Sequence, residues 1–260
     1  MLEAKGIVQT IQGRTVLHEL DCSFTEGKIY GIIGPNGVGK STLLHLLSGV
    51  DKAAKGEVLL AGEPIVSLPR KTLARKMAVL QQGGLPPVGF TVREVVGMGR
   101  YPYQSWLGNE ESDPAEIIDE ALKAMGLTEL QERRMDQLSG GERQRVALAK
   151  LMVQEPSIIL LDEPTTYLDI GYQVQLLDTV RSWQRERGLT VIAVLHDLNL
   201  ASLYCDELVV LHEGKIAALG TPKEVLTTLL IEKVYETTTA IVPHPVTGMP
   251  QIMLQPSATL

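Results

Sequence analysis

The chain has 260 residues, with 24 Lys+Arg against 31 Asp+Glu and a net charge of −7. An apolar share of 44% with 21% charged residues fits a globular chain long enough to bury a core, and the acidic balance argues against nucleic acid as a partner, since that footprint gathers Lys and Arg on one face. Cys22 and Cys205 lack CxxC spacing, the start MLEAKGIVQT lacks a signal peptide's basic end and apolar run, and no stretch approaches the roughly 18 apolar residues of a membrane span, so a soluble cytosolic chain with two buried thiols is expected.

In chain order, short apolar runs of strand type stand at Ile29–Ile33, Val58–Leu60, Met77–Leu80, Ile158–Leu161, Val191–Leu195 and Leu208–Leu211. Several are apolar at every position, as parallel strands buried on both faces require. The stretch from about Gly83 to Glu155 reads as helical. Within it, Asp113-Pro114-Ala115-Glu116 predicts an N-cap, a proline at the first helical position and a carboxylate reaching back, with Gly126 closing the helix. Val174, Leu177, Val180 and Trp183 recur at helical spacing before Gly188. Near the end, Pro243 to Pro250 carries turn chemistry between two short apolar pieces, Ile241-Val242 and Ile252–Leu254. The expected fold class is therefore α/β with a helical lobe inserted into the core.

Three segments carry chemistry. Gly34-Pro35-Asn36-Gly37-Val38-Gly39-Lys40-Ser41-Thr42 is a complete GxxxxGKS sequence between an apolar strand and the helix-like Leu43–Leu47. Its glycines let successive N–H groups turn inward around phosphate oxygens, the following helix adds its positive end, Lys40 neutralises phosphate and Ser41 can ligate Mg²⁺. Ile158 to Pro164 ends an apolar strand in two carboxylates: Asp162 can hold Mg²⁺ through water, and Glu163 is placed to polarise an attacking water. Leu138-Ser139-Gly140-Gly141-Glu142 opens another helix, Val146–Val153, and reads either as a second anion site or as a plain serine N-cap. One Mg²⁺/base set for two such sites suggests that the second serves a nucleotide on another copy. His196 ends a strand, where parallel sheets deliver functional residues, and Asp197 can cap the helix from Leu198.

With these residues in place, the chain resembles the nucleotide-binding subunit of ABC transporters along essentially its whole length. GPNGVGKST is similar to the Walker A loop, ILLDEP to the Walker B strand and LSGGERQ to the family signature. The resemblance implies a P-loop NTPase core, a mostly parallel sheet with an antiparallel β part, carrying an inserted helical subdomain. Residues 1–82 and 156–225 would form the ATP-binding core, 83–155 the helical subdomain and 226–260 a C-terminal extension. It implies a homodimer that sandwiches ATP between one copy's Lys40 loop and the other's Ser139–Gly141. Gln82 would link Mg²⁺ to the helical lobe, with Gln81 before it where Pro is common. Asp169 would cross the dimer interface, and His196 would touch the γ-phosphate. Ile11 would stand where the family stacks an aromatic on adenine, which predicts weak discrimination between ATP and GTP.

Phe90 to Val96, Gly99-Arg100-Tyr101-Pro102, the segment from Pro164 to Asp169, His196 to Asn199, and Gly220 to Val225 are similar to the importer group for ferric siderophores, haem and cobalamin. That implies an ATPase at the cytoplasmic face of the membrane, docked on a many-helix permease and linked through it to a substrate-binding protein, with no nucleic-acid partner. A soluble ABC-type ATPase acting on nucleic acid or ribosomes is the alternative. Tyr101, Tyr103 and Trp106 read two ways: as filling the lobe's own core, or as part of a groove for a permease helix. On the second reading, charge reversal at Arg100 with Trp106→Ala would uncouple transport and spare basal ATPase.

Overall fold

The computed structural model describes residues 1–81, 83, 85–105, 113–166 and 168–255. It divides into two compact units, Met1–Ser67 with Thr179–Leu260, and Leu68–Asp178. No helix among the described residues is long and apolar enough to cross a membrane.

The first unit opens with an antiparallel hairpin of β1 (Leu2–Ile11) and β2 (Arg14–Phe24), followed by β3 (Ile29–Ile33), α1 (Lys40–Leu47), β4 (Lys55–Leu60) and β5 (Glu63–Pro64). The strands β2, β1, β4 and β5 lie side by side in that order, all antiparallel. Sequence reading finds little of β1 and β2, because their outward faces are polar and interrupt the apolar run. The second unit holds α2 (Arg70–Lys76), β6 (Met77–Leu80), α3 (Val92–Gly97), α4 (Ala115–Ala124), α5 (Gly140–Val153) and β7 (Ile158–Asp162). Its two strands pair in parallel, Met77 opposite Ile158 and Leu80 opposite Leu161. Helix α6 (Ile170–Arg187) then leads back to the first unit. There follow β8 (Thr190–Val194), α7 (Leu198–Tyr204), β9 (Glu207–His212), β10 (Lys215–Gly220), α8 (Pro222–Val225), α9 (Thr228–Tyr235), β11 (Thr239–Pro243) and β12 (Pro250–Leu254).

β3 is buried at all five positions and pairs in parallel with β8 on one side and β9 on the other. That placement explains its unbroken apolar run. Its start is pinned by charge: Asp206 accepts from the Ile29 N–H at 2.8 Å and from Arg181 at 2.8 and 2.9 Å. α1 packs on β8, and α7 packs on β3. The Asp197 carboxylate caps α7 as expected, accepting from Asn199 and Leu200 N–H. α7 in turn holds the C-terminal hairpin, since Asn199 exchanges hydrogen bonds with the Ile252 backbone and Ser202 Oγ donates to Pro250 O at 2.6 Å. Both cysteines are free and buried, and burial pushes each thiol pKa up to about 12.

In the second unit α5 packs against α3 and α4. Val146, Leu148 and Leu151 are each almost wholly buried, contributing about 1.5–3 kcal/mol apiece. Helix α4 starts one residue later than the sequence predicts. Pro114 takes the N-cap position, and Asp113 accepts from the Ala115 N–H at 3.0 Å. Gly126 does end it, at φ 62°.

The structure supports the core-filling reading of this segment for Arg100. Its side chain is 8% exposed, and it donates to Val153 O at 2.8 Å and Glu155 Oε2 at 2.7 Å while lying 3.9 Å from the Tyr103 ring centre. Tyr103 OH donates to Gln154 O at 3.0 Å. Arg100 and Tyr103 thus belong to the internal packing of this unit, whereas Tyr101 is exposed beside Lys71. Trp106 lies outside the described residues.

Candidate active site

In the first unit, residues 34–39 carry the chain from the end of β3 into α1, and the glycines at its two ends leave no room for a Cβ. Gly34 has φ 148°, and a Cβ there would sit 2.3 Å from Leu211 O. Gly39, the N-cap of α1, has φ 106°, and a Cβ there would lie 2.7 Å from Leu17 Cδ2 and 3.0 Å from Val16 Cγ1. A glycine N-cap has no side chain with which to satisfy the first-turn N–H groups, so the turn is built to receive an anion. Lys40 is 5% exposed, and its ammonium donates to the carbonyls of Gly34 and Pro35, each at 2.9 Å.

A cavity of about 920 Å³ opens beside this loop, lined by Gly34–Val38 together with Arg14, Val16, His196, His212 and Tyr235. His196 stands two residues past the end of β8, after the buried Leu195, and is exposed. Ile11 is not among the lining residues. It ends β1, 44% exposed, in the hairpin whose other arm supplies Arg14 to Val16. Sequence reasoning missed Arg14, Val16, His212 and Tyr235, which share no local pattern and meet only through the fold.

In the second unit Asp162 closes β7 at 3% exposure. Glu163 follows in the left-handed region at φ 49°, a conformation that costs a non-glycine residue about 1 kcal/mol or more. Strain of this kind collects where a side chain must be aimed. Thr166 supports the turn, its N–H donating to Glu163 O at 3.2 Å and its hydroxyl to Glu163 Oε2 at 3.3 Å.

Ser139 caps α5 through a full capping box. Its hydroxyl accepts from the Glu142 N–H at 3.3 Å, and Glu142 Oε2 accepts from the Ser139 N–H and hydroxyl, each at 2.7 Å. The Ser139 N–H first, then its hydroxyl, hold the Glu142 carboxyl below its ordinary pKa. Gln144 Nε2 donates to Pro164 O at 3.2 Å, tying α5 to the turn after β7. A pocket of about 260 Å³ lies between them, lined by Gln81, Gly83, Gly140, Glu163, Thr166 and Leu168 among others. Asp169 Oδ1 accepts from the Tyr172 N–H at 3.0 Å, and the Tyr172 ring covers Gly141, 3.7 Å from where a Cβ would stand. Gln82 and Tyr167 lie outside the described residues. Within this unit Glu163, the glycine of the signature segment and the residues flanking position 82 come together.

The family model for ABC transporters matches residues 17–166, from β2 through the turn after Glu163. The chain belongs to the ABC transporter family. The ferric enterobactin transport ATP-binding protein FepC of Escherichia coli is 44% identical over 92% of this chain and 88% of its own. A siderophore transport system ATP-binding protein of Bacillus subtilis, YusV, is 43% identical over 90% and 86%. Among solved structures, an ATP-binding cassette seen as a dimer in a post-hydrolysis state with ADP and Pi is 27% identical at TM-score 0.74, covering 85% of this chain and 98% of that one. A chain of a metal-chelate type ABC transporter, 23% identical, superposes on the fold at TM-score 0.85 over 100% and 99%. The cassette is an ABC-type ATPase with the mixed-sheet P-loop NTPase fold.

Proposed function

We propose that this ATPase energises import of a ferric siderophore through a membrane permease. The observation that carries the reading is the 44% identity, over 92% of the chain, to a ferric enterobactin transport ATP-binding protein. Relatives named for achromobactin transport and petrobactin import, at 42% and 41% identity, point the same way, and a cobalamin import protein is more distant at 37%. The soluble ATPase working on nucleic acid or ribosomes finds no support in the acidic net charge of −7. The protein would act from the cytoplasmic face of the membrane, held there by the permease, with a substrate-binding protein delivering cargo from the far side.

The division of labour follows the motifs. Residues 1–82 and 156–225 serve as the ATP-binding core, 83–155 as the helical subdomain and 226–260 as an extension. The loop Gly34–Thr42 receives the phosphates of ATP, with Lys40 exchanging its two carbonyl partners for phosphate oxygens. Ser139, Gly140 and Gly141 of a second copy close over the same nucleotide, and Asp169 works at that dimer interface. Ile11 contacts the base by aliphatic packing.

The residue chemistry suits Mg²⁺: a hydroxyl from Ser41, the carboxylate of Asp162, which is buried, and the amide oxygen of Gln82 would be hard oxygen ligands. Held by these residues, Mg²⁺ would neutralise developing charge on the phosphate oxygens. Glu163 accepts the proton of a water that attacks the γ-phosphorus. The bond to the β-phosphate oxygen breaks, and ADP and phosphate leave. His196 holds the γ-phosphate oxygens during transfer. Contacts to the second copy's signature segment exist only with ATP bound, so ATP favours the closed dimer and hydrolysis releases it.

Uptake by the native host tests the assignment. Deleting the gene should abolish accumulation of radiolabelled ferric siderophore, and wild-type but not Glu163→Gln protein should restore it. Loss of cobalamin or haem uptake with siderophore uptake intact would overturn the cargo reading.

A further inference from the structure

The turn of the β1–β2 hairpin sets Arg14 at the cavity beside the phosphate loop. Gln12 at φ 49° and Gly13 at φ 80° make a two-residue turn, so Ile11 and Arg14 stand directly opposite each other on the two strands, with their side chains on the same face. Arg14 lines the 920 Å³ cavity together with Gly34–Val38, and so does Val16. Val16 is also where the hairpin closes on the loop, its Cγ1 only 3.0 Å from where a Cβ of Gly39, the N-cap of α1, would stand. Arg14 comes two strand residues before Val16, roughly 7 Å along β2 at about 3.4 Å per residue. It therefore stands one step outward from the helix end that meets phosphate. A nucleotide likewise carries its base one sugar outward from its phosphates.

The Arg14 side chain is exposed, and among the described residues no hydrogen bond or ion pair engages its guanidinium. Glu213 and Glu236 line the same cavity without pairing to it. A guanidinium is flat and weakly hydrated, and it stacks on aromatic faces such as a purine presents. Ile11, its neighbour across the hairpin, has no ring to do this. We propose that Arg14 binds the nucleobase of ATP, its guanidinium plane lying against the purine face. The phosphates are left to Lys40 and the N-terminus of α1. Stacking of this kind does not read the exocyclic groups, so it serves adenine and guanine alike. This inference rests on the reading of residues 34–42 as the phosphate cradle.

The test uses the full chain, with AMP-PNP, GMP-PNP and inorganic tripolyphosphate as probes. Arg14→Ala should weaken both nucleotide analogues roughly three- to tenfold, as loss of one cation–π contact does, and leave tripolyphosphate binding unchanged. The KM for ATP should rise in step while kcat is kept, and the melting temperature without nucleotide should hold. Arg14→Lys keeps the charge without the plane and should recover little of the loss, whereas Arg14→Trp should restore affinity through its ring. Wild-type AMP-PNP affinity in Arg14→Ala, or full recovery in Arg14→Lys, would overturn the proposal. Tripolyphosphate weakened as much as AMP-PNP would overturn it by showing a phosphate contact, and a melting temperature that falls with affinity in both variants would do so by showing a structural role. Lys40→Ala separates the two levels. If it loses AMP-PNP and tripolyphosphate while Arg14→Ala binds both normally, only the role of Arg14 fails; if it binds both like wild type, the cradle reading fails and takes this inference with it.

Discussion

The ammonium of Lys40 donates to the carbonyl oxygen of Gly34 at 2.9 Å, six residues back along the same loop. With the matching bond to Pro35 O, this places a buried cation on two carbonyls that anionic phosphate oxygens can replace. Phosphate oxygens add a formal negative charge on the acceptor side, which the carbonyls lack, so the exchange favours ATP. Lys40→Ala should therefore weaken ATP binding by about tenfold or more, since a hydrogen bond to a charged group is worth about 1.5–3 kcal/mol. Equilibrium binding of ATP at low temperature checks this.

Base selectivity tests the proposed contact of Ile11 with the base. An aliphatic residue at the end of β1 offers no ring to stack, which forgoes about 0.5–1.5 kcal/mol of aromatic contact. ATP and GTP should compete within about tenfold of each other. Ile11→Tyr should tighten binding of both bases. A strong preference for ATP in the wild type would show that another group reads the base.

Arg100 sets the stability of the second unit. Arg100→Glu places a carboxylate where Val153 O and Glu155 now accept, and should cost about 3 kcal/mol or more. Melting temperature and ATPase activity are expected to fall together. Tyr101→Ala, on the exposed surface, should shift stability by no more than about 0.5 kcal/mol.

The tie between α6 and β3 gives a pH dependence. Burial alone would raise the Asp206 pKa, but hydrogen bonds from Arg181 and the Ile29 N–H, with the charges of Arg181 and Lys28, outweigh it and hold the carboxyl below its usual 3.8. A depressed carboxyl contributes stability above its unfolded value and loses it as pH falls through the folded one. Thermal melts between pH 6 and pH 3 should show wild type losing its advantage over Asp206→Asn below about pH 4. A constant difference across the range would contradict the linkage.

Much of this was legible in the sequence. β3 and β6 match their apolar runs end to end, because strands buried on both faces have no polar position to blur the pattern. The cap at Asp197 and the C-terminal hairpin were equally local. Less local features escaped. The β1–β2 hairpin alternates too weakly, and Tyr235 reads only as a lone aromatic ending a helix, far along the chain from the Gly34–Val38 loop that lines the same cavity. Between core filling and a groove the sequence leaves the segment at Arg100 open, and only the packing of Tyr103 and Val153 shows Arg100 buried. Ser139 was read as either anion site or cap; in this structure it forms a complete capping box.

The most direct test of the central claim is recovery of tagged Glu163→Gln protein from detergent-solubilised membranes of the native host, with and without Mg-ATP. Loss of a general base typically slows chemistry by about 10²–10⁴-fold while sparing binding, so the closed dimer should persist. A many-helix permease should be recovered with the ATPase, and that permease should support ferric siderophore uptake. Recovery of soluble dimer alone, or of ribosomes or DNA, would contradict it.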